Sequence, residues 1–123
     1  MKFSNQEERL DYLLEEFKED SVQYSSLEVD DDYDSKRMAL RSLMNIRMPG
    51  EMLEEVLKVQ DEFLEEEARE KGIVTLSEIP TIQEEYHSFH PHADKISVWK
   101  GDITSLAAGA IVNAANSQML GCF

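Results

Sequence analysis

The chain has one cysteine, Cys122, so no disulfide can form within it. A lone thiol of this kind fits a reducing cytoplasm, where it is usually a small buried hydrophobe and sometimes a reactive thiol or a metal ligand. No apolar run is long enough to span a bilayer. The start carries Glu7, Glu8, Asp11, Glu15 and Glu16 without a long apolar core, which is not how a secretory signal reads. Basic residues are also scarce, 12 against 26 acidic ones, giving a net charge of −14. From residue 96 onward only Lys100 and Asp102 are charged, so the whole excess lies in residues 1–95. An acidic face of that size argues against nucleic acid and anionic membranes as partners. It also repels phosphate-rich ligands except at a locally neutral site, and the tail is such a site. No internal repeat is present. What remains is room for one domain with a modest core: 123 residues, of which 41% are hydrophobic.

Leu10, Leu13, Leu14 and Phe17 fall at helical spacing behind Ser4 or Asn5 as a cap, which predicts an amphipathic helix over Gln6 to Asp20. The acidic stretch from Glu28 to Asp34 breaks the pattern. It lacks the glycine and terminal Glu of a calcium-binding hand, and reads as a solvated linker that ends by capping the next helix. A second helix is expected over Ser35 to Arg47, stopped by Pro49-Gly50, and a third over Glu51 to Lys71, stopped by Gly72. In the third, Leu53, Val56, Leu57, Phe63 and Leu64 face inward. Like-charge pairs such as Glu51 with Glu55 and Glu62 with Glu66 weaken it in isolation, so it needs its packing partner.

Ile73 to Ile82 then turns extended, closed by Pro80, and residues 83–95 are polar. Three histidines lie there, His87, His90 and His92. Their spacing matches no defined zinc pattern, and Pro91 prevents a helix that would align the rings, so a solvent-facing loop is expected.

The tail carries the chemistry. An alternating stretch, Ile96 to Thr104, holds Gly101-Asp102, and an apolar run, Ala110 to Val112, leads into Asn113 and Asn116. That is the pattern of a nucleotide-binding α/β unit, with buried strands whose carboxyl ends present small and polar ligand contacts. An Asp after Gly can equally start a turn or cap the short segment Thr104 to Ala107, and two asparagines at a strand end can satisfy loop backbone.

Gly101-Asp102-Ile103-Thr104 followed by Ala110-Ile111-Val112-Asn113-Ala114-Ala115-Asn116-Ser117 resembles the opening of a macrodomain, the ADP-ribose-binding α/β module. Met119-Leu120-Gly121-Cys122-Phe123 narrows the resemblance to the zinc-containing bacterial and fungal class. Upstream, residues 40–49, the Gln60-Asp61 pair and Gly72 to Ile82 are similar to that class's N-terminal helical extension. The fold implied is α+β. Residues 1–95 would form the helical extension, and 96–123 the first strands of an incomplete macrodomain α/β/α three-layer sandwich.

The class comprises protein-ADP-ribose hydrolases that remove mono-ADP-ribose from proteins, some of them linked to a sirtuin-type ADP-ribosyltransferase and a lipoylated carrier protein. The resemblance implies that Asp102 accepts from the adenine amino group and that Ile103 offers a backbone N–H and an apolar wall beside the same base. Asn116 is implied to hydrogen-bond the distal ribose, whose anomeric carbon is attacked, with Asn113 structural. Gly121 lets the backbone approach the diphosphate, and Cys122 is the first zinc ligand. The His and second Cys that follow in the class are not in this chain, and one thiolate does not close a zinc site. The chain therefore reads as an N-terminal fragment, inactive alone, of a zinc-dependent hydrolase. Two alternatives from other classes are an ADP-ribose reader that binds without cleaving, and a helical partner-docking module.

Overall fold

Asn5 opens the first helix. Its side chain accepts a hydrogen bond from Glu8 N at 2.9 Å, while the Glu8 carboxylate accepts from Ser4 N and Oγ, satisfying donors that the first helical turn leaves orphaned. The computed structural model describes residues 2–118, and α1 runs Gln6–Asp20 within it, as the spacing predicts. Asp32 caps α2, Tyr33–Ile46, by accepting from Ser35 N at 2.9 Å, so the acidic linker does end as a cap. The helix starts two residues before the expected Ser35, because Asp32 places Tyr33 in its first turn. It also stops before Pro49-Gly50, at Arg47, whose backbone is extended. The third helix, α3, is Glu54–Lys71, three residues shorter at its start than the sequence suggests.

The described residues divide into two compact units, one of residues 2–66 with 114–118, the other of residues 67–113. In the first, Leu10, Leu13, Leu14 and Phe17 of α1 meet Leu40 and Leu43 of α2 and Val56, Val59 and Phe63 of α3. Each such side chain contributes about 1.5–3 kcal/mol on full burial, and Phe63, Leu10, Leu13 and Leu40 are completely enclosed. Leu53 and Leu57, expected inward, are exposed at 70% and 42%. The core stripe of α3 is narrower than its apolar residues suggest.

Polar groups lock this bundle. The buried Arg9 donates from Nη1 to Gln6 Oε1 at 2.9 Å, and its Nε lies 3.8 Å from Glu62 Oε2. Gln6 Nε2 in turn donates to the Phe63 carbonyl at 2.9 Å, so one α1 side chain holds both a buried cation and the α3 backbone. Lys36 sits between Asp11 at 2.8 Å and Asp31 at 3.0 Å, and these bonds raise it above the usual lysine value.

In the second unit Gly72 ends α3 at φ 95°, a conformation that favours glycine, and its N–H reaches back to the Ala68 and Arg69 carbonyls. The next residues form β1, Val74–Thr75, paired in parallel with β2, Leu106–Ala107; Val74 faces Leu106 and Thr75 faces Ala107. Extended structure was expected over Ile73 to Ile82. It ends after two residues because the Glu78 carboxylate accepts from Thr75 N and Oγ1, curling Leu76–Glu78 into a 3-10 turn. Thr81 then caps α4, Ile82–Tyr86, which starts at the end of the expected extended stretch and runs into the expected loop.

The larger departure is in the tail. The alternation from Ile96 and the apolar run Ala110 to Val112 predict strands, yet neither segment carries one. Ile111 is 54% and Val112 99% exposed. Alternation marks a segment as able to pair, but a strand forms only where a neighbour supplies hydrogen bonds. The ladder here is instead Val74–Thr75 with Leu106–Ala107. Mixed α and β structure is present, with four helices and one two-stranded parallel sheet among the described residues.

Candidate functional site

Trp99, Gly101, Asp102 and Thr104 build a single turn that leads into β2. A Cβ added at Gly101 would strike the Trp99 indole, so glycine is required by the ring lying over it. Asp102 then folds the chain onto itself: its Oδ1 accepts from Thr104 N at 2.9 Å and from Thr104 Oγ1 at 2.6 Å. The Asp102 carbonyl accepts from Ser105 N at 2.9 Å, closing the 3-10 turn Ile103–Ser105. Asp102 therefore stands ahead of β2, in an Asx-type turn, rather than at a strand's carboxyl end.

The two Thr104 bonds, first the side-chain one, hold the Asp102 carboxyl below the usual aspartate value, and the positive charge of Lys71 acts in the same direction. The group is thus an anion at neutral pH. Its Oδ1 is committed to Thr104, while Oδ2 has no hydrogen bond among the described residues. Ile103 follows directly and is half exposed, so a carboxylate and an apolar side chain stand side by side on one surface turn.

Asn116 belongs to the other compact unit. Its Oδ1 accepts from Gln118 N at 3.1 Å, which fixes the side chain in a turn of its own. Asn113 is exposed. Gly121 and Cys122 lie outside the described residues. The structure thus brings Asp102 and Ile103 together. The reading of Asp102 as the start of a turn capping the segment from Thr104 is what the structure shows. The sequence pattern missed Lys71, which helps keep Asp102 charged, and Trp99, which covers Gly101.

Three histidine rings are exposed around α4 and the segment after it. His90 Nδ1 accepts from His92 N at 3.1 Å, and the two rings are tilted with centroids 5.7 Å apart. No group of three or more His, Cys, Asp or Glu among the described residues is placed to hold a metal ion. Cys122 alone does not fit a zinc site, which needs about three protein ligands. No helix among the described residues is long and apolar enough to cross a membrane.

No protein-family model matches the chain. It is, however, similar along nearly its whole length to several known proteins. It is 39% identical over 118 residues to a protein-ADP-ribose hydrolase of Treponema medium, covering 96% of this chain and 43% of that protein. Against a protein-ADP-ribose hydrolase of Staphylococcus aureus (strain MRSA252) it is 33% identical over 114 residues, 93% of this chain and 39% of the relative. A fungal protein of Fusarium oxysporum f. sp. cubense, named a probable bifunctional ADP-ribose hydrolase/ADP-ribosyltransferase, is 36% identical over 94 residues, 72% of this chain and 15% of its own length. The chain spans about two fifths of the length of the two bacterial relatives.

Proposed function

We propose that this chain supplies part of a protein-ADP-ribose hydrolase of the macrodomain kind, which removes mono-ADP-ribose from modified proteins. The observation that carries this reading is the 39% identity to the Treponema medium hydrolase across 96% of the chain. The turn around Asp102 supports it chemically. Adenine offers an exocyclic amino group, and its natural partner is an ionised carboxylate with an oxygen to spare. The Thr104 bonds supply both conditions, fixing Oδ1 and keeping the group charged. Ile103 beside it provides the apolar wall for the base.

Asn116 is the residue for the distal ribose, held in its turn by Gln118. In hydrolysis the bond from the anomeric carbon to the protein side chain breaks. Water supplies the new oxygen at that carbon, and its proton goes to the departing side chain. Asn116 would orient the sugar for that attack, and Gly121 would let the backbone approach the diphosphate. Zinc would enter through Cys122 only with further ligands, and the described residues do not supply them. A sirtuin-type transferase would make the modified protein and a lipoylated carrier would be the protein modified. The bifunctional name of the Fusarium relative agrees with paired attachment and removal.

The test replaces the aligned 118 residues of the Treponema medium relative with those of this chain. The chimera is expected to release ADP-ribose from a mono-ADP-ribosylated protein, and Asn116→Ala to lose release while retaining binding. Asp102→Ala should weaken ADP-ribose binding in calorimetry. A chimera that binds ADP-ribose without releasing it would make the protein a reader instead. One that is folded but neither binds nor releases would overturn the proposal.

A further inference from the structure

Between the end of α1 and the segment entering α3 lies a groove of about 300 Å³. It is lined by four acidic residues, Glu16, Glu19, Asp20 and Glu51, and by the apolar Met52, Leu53 and Val56. Val56 belongs to the core, whereas Leu53 is 70% exposed. Asp20 is paired with Arg47, but Glu16, Glu19 and Glu51 form no ion pair among the described residues. Lys2 makes its own contact with Glu55. Glu19 and Asp20 also stand in the last turn of α1, where the helix dipole favours cations rather than anions. Apart from the Asp20–Arg47 pair, no ion pair among the described residues draws on these carboxylates.

We propose that this groove is a docking site for an amphipathic helical segment of a partner protein, carrying lysine or arginine beside a leucine-type anchor. Charge complementarity selects that occupant. Residues 1–66 hold 19 acidic against 8 basic residues, so the surrounding field attracts cations and rejects acidic segments. The volume lies at the low end of ligand pockets, roughly 300–1,000 Å³, which suits one or two anchoring side chains better than a whole cofactor. Leucine packed against Leu53 and Met52 would supply the apolar contact, and lysine or arginine would meet the unpaired carboxylates. This is the helix-in-groove mode of recognition. A second copy of the chain brings the same acidic surface and is disfavoured by it.

The test uses the full chain and a fluorescent synthetic Leu/Lys amphipathic helix, with a Leu/Glu helix as control. Anisotropy should show binding of the first only. Affinity should fall about tenfold with Leu53→Ser, and as much with Glu19→Lys combined with Glu51→Lys. Glu7→Lys combined with Asp61→Lys changes the net charge equally outside the groove and should leave affinity nearly unchanged. A photo-crosslinker on a peptide leucine should label residues near Leu53 in the unsubstituted chain, a readout that needs no variant to fold. Equal weakening by both charge pairs, no effect of Leu53→Ser, crosslinks elsewhere, or self-association that Leu53→Ser abolishes would each overturn the proposal.

Discussion

Arg47 Nε donates to Asp20 Oδ2 at 2.7 Å, joining the end of α2 to the end of α1. The same guanidinium donates from Nη2 to the Glu51 carbonyl at 2.8 Å and from Nη1 to the Gly50 carbonyl at 3.3 Å. One planar fork thus holds a carboxylate and two backbone carbonyls in the connection to α3. Charge-assisted bonds contribute about 1.5–3 kcal/mol each, and the partly exposed setting lowers that. Arg47→Ala should cost roughly 1–2 kcal/mol in urea unfolding. Arg47→Lys should recover less than half of the loss, since an ammonium lacks the fork geometry.

Phe63 is fully enclosed and Leu53 is not. Phe63→Ala should destabilise by about 3–5 kcal/mol, enough to unfold a bundle of this size at room temperature. Leu53→Ala should stay within about 0.5 kcal/mol. Thermal unfolding followed by circular dichroism distinguishes the two.

Asp32 and Asp102 are both held below the usual aspartate value by bonds to a hydroxyl and a backbone N–H two or three residues ahead. A depressed carboxylate contributes stability above its unfolded value and loses that contribution as pH falls through its folded one. Acidification should therefore loosen the start of α2 and the turn before β2, in a window below the ordinary aspartate range. Carboxyl-carbon NMR titration should find both midpoints depressed. Thr104→Val should raise the Asp102 midpoint and leave that of Asp32 unmoved.

Gly101→Ala places a methyl group against the Trp99 indole. The single tryptophan makes the outcome directly visible: its emission should shift as the ring is displaced, while the helical signal of α1 to α3 is kept. An unshifted spectrum would show that the ring does not lie over residue 101.

The helices were legible because their signals are local. Asn5, Asp32 and Gly72 each act on the turn they touch, so the spacing of Leu10, Leu13, Leu14 and Phe17 was enough to bound α1. The narrow burial of α3 was not legible, because Leu53 and Leu57 look like core residues until their neighbours are placed. The strands were less legible still. The runs at Ile96 and Ala110 have strand character, yet the observed ladder joins Val74 to Leu106, a pairing no local pattern encodes. In the candidate site, Asp102 and Ile103 were readable as a motif. The grip of Thr104 on Asp102 is a geometric fact that the motif only hinted at.

Val74 and Leu106 are 32 positions apart, and the ladder they begin has two rungs. That separation sets an order of events. Closing so long a loop costs entropy that grows as about (3/2)RT ln n, and two rungs offset little of it. The α1–α2 contacts grow from the shorter connection between Asp20 and Tyr33 and bury apolar core side chains, so they should form earlier. The ladder should be the last element to form and the first to open, with amide protons of residues 74–75 and 106–107 exchanging well before those of Leu10 or Leu40. Asp102 and Ile103 lie just ahead of β2, on the late side of that sequence. On the proposed function, a nucleotide held there would bind only the closed ladder, and so would slow its opening.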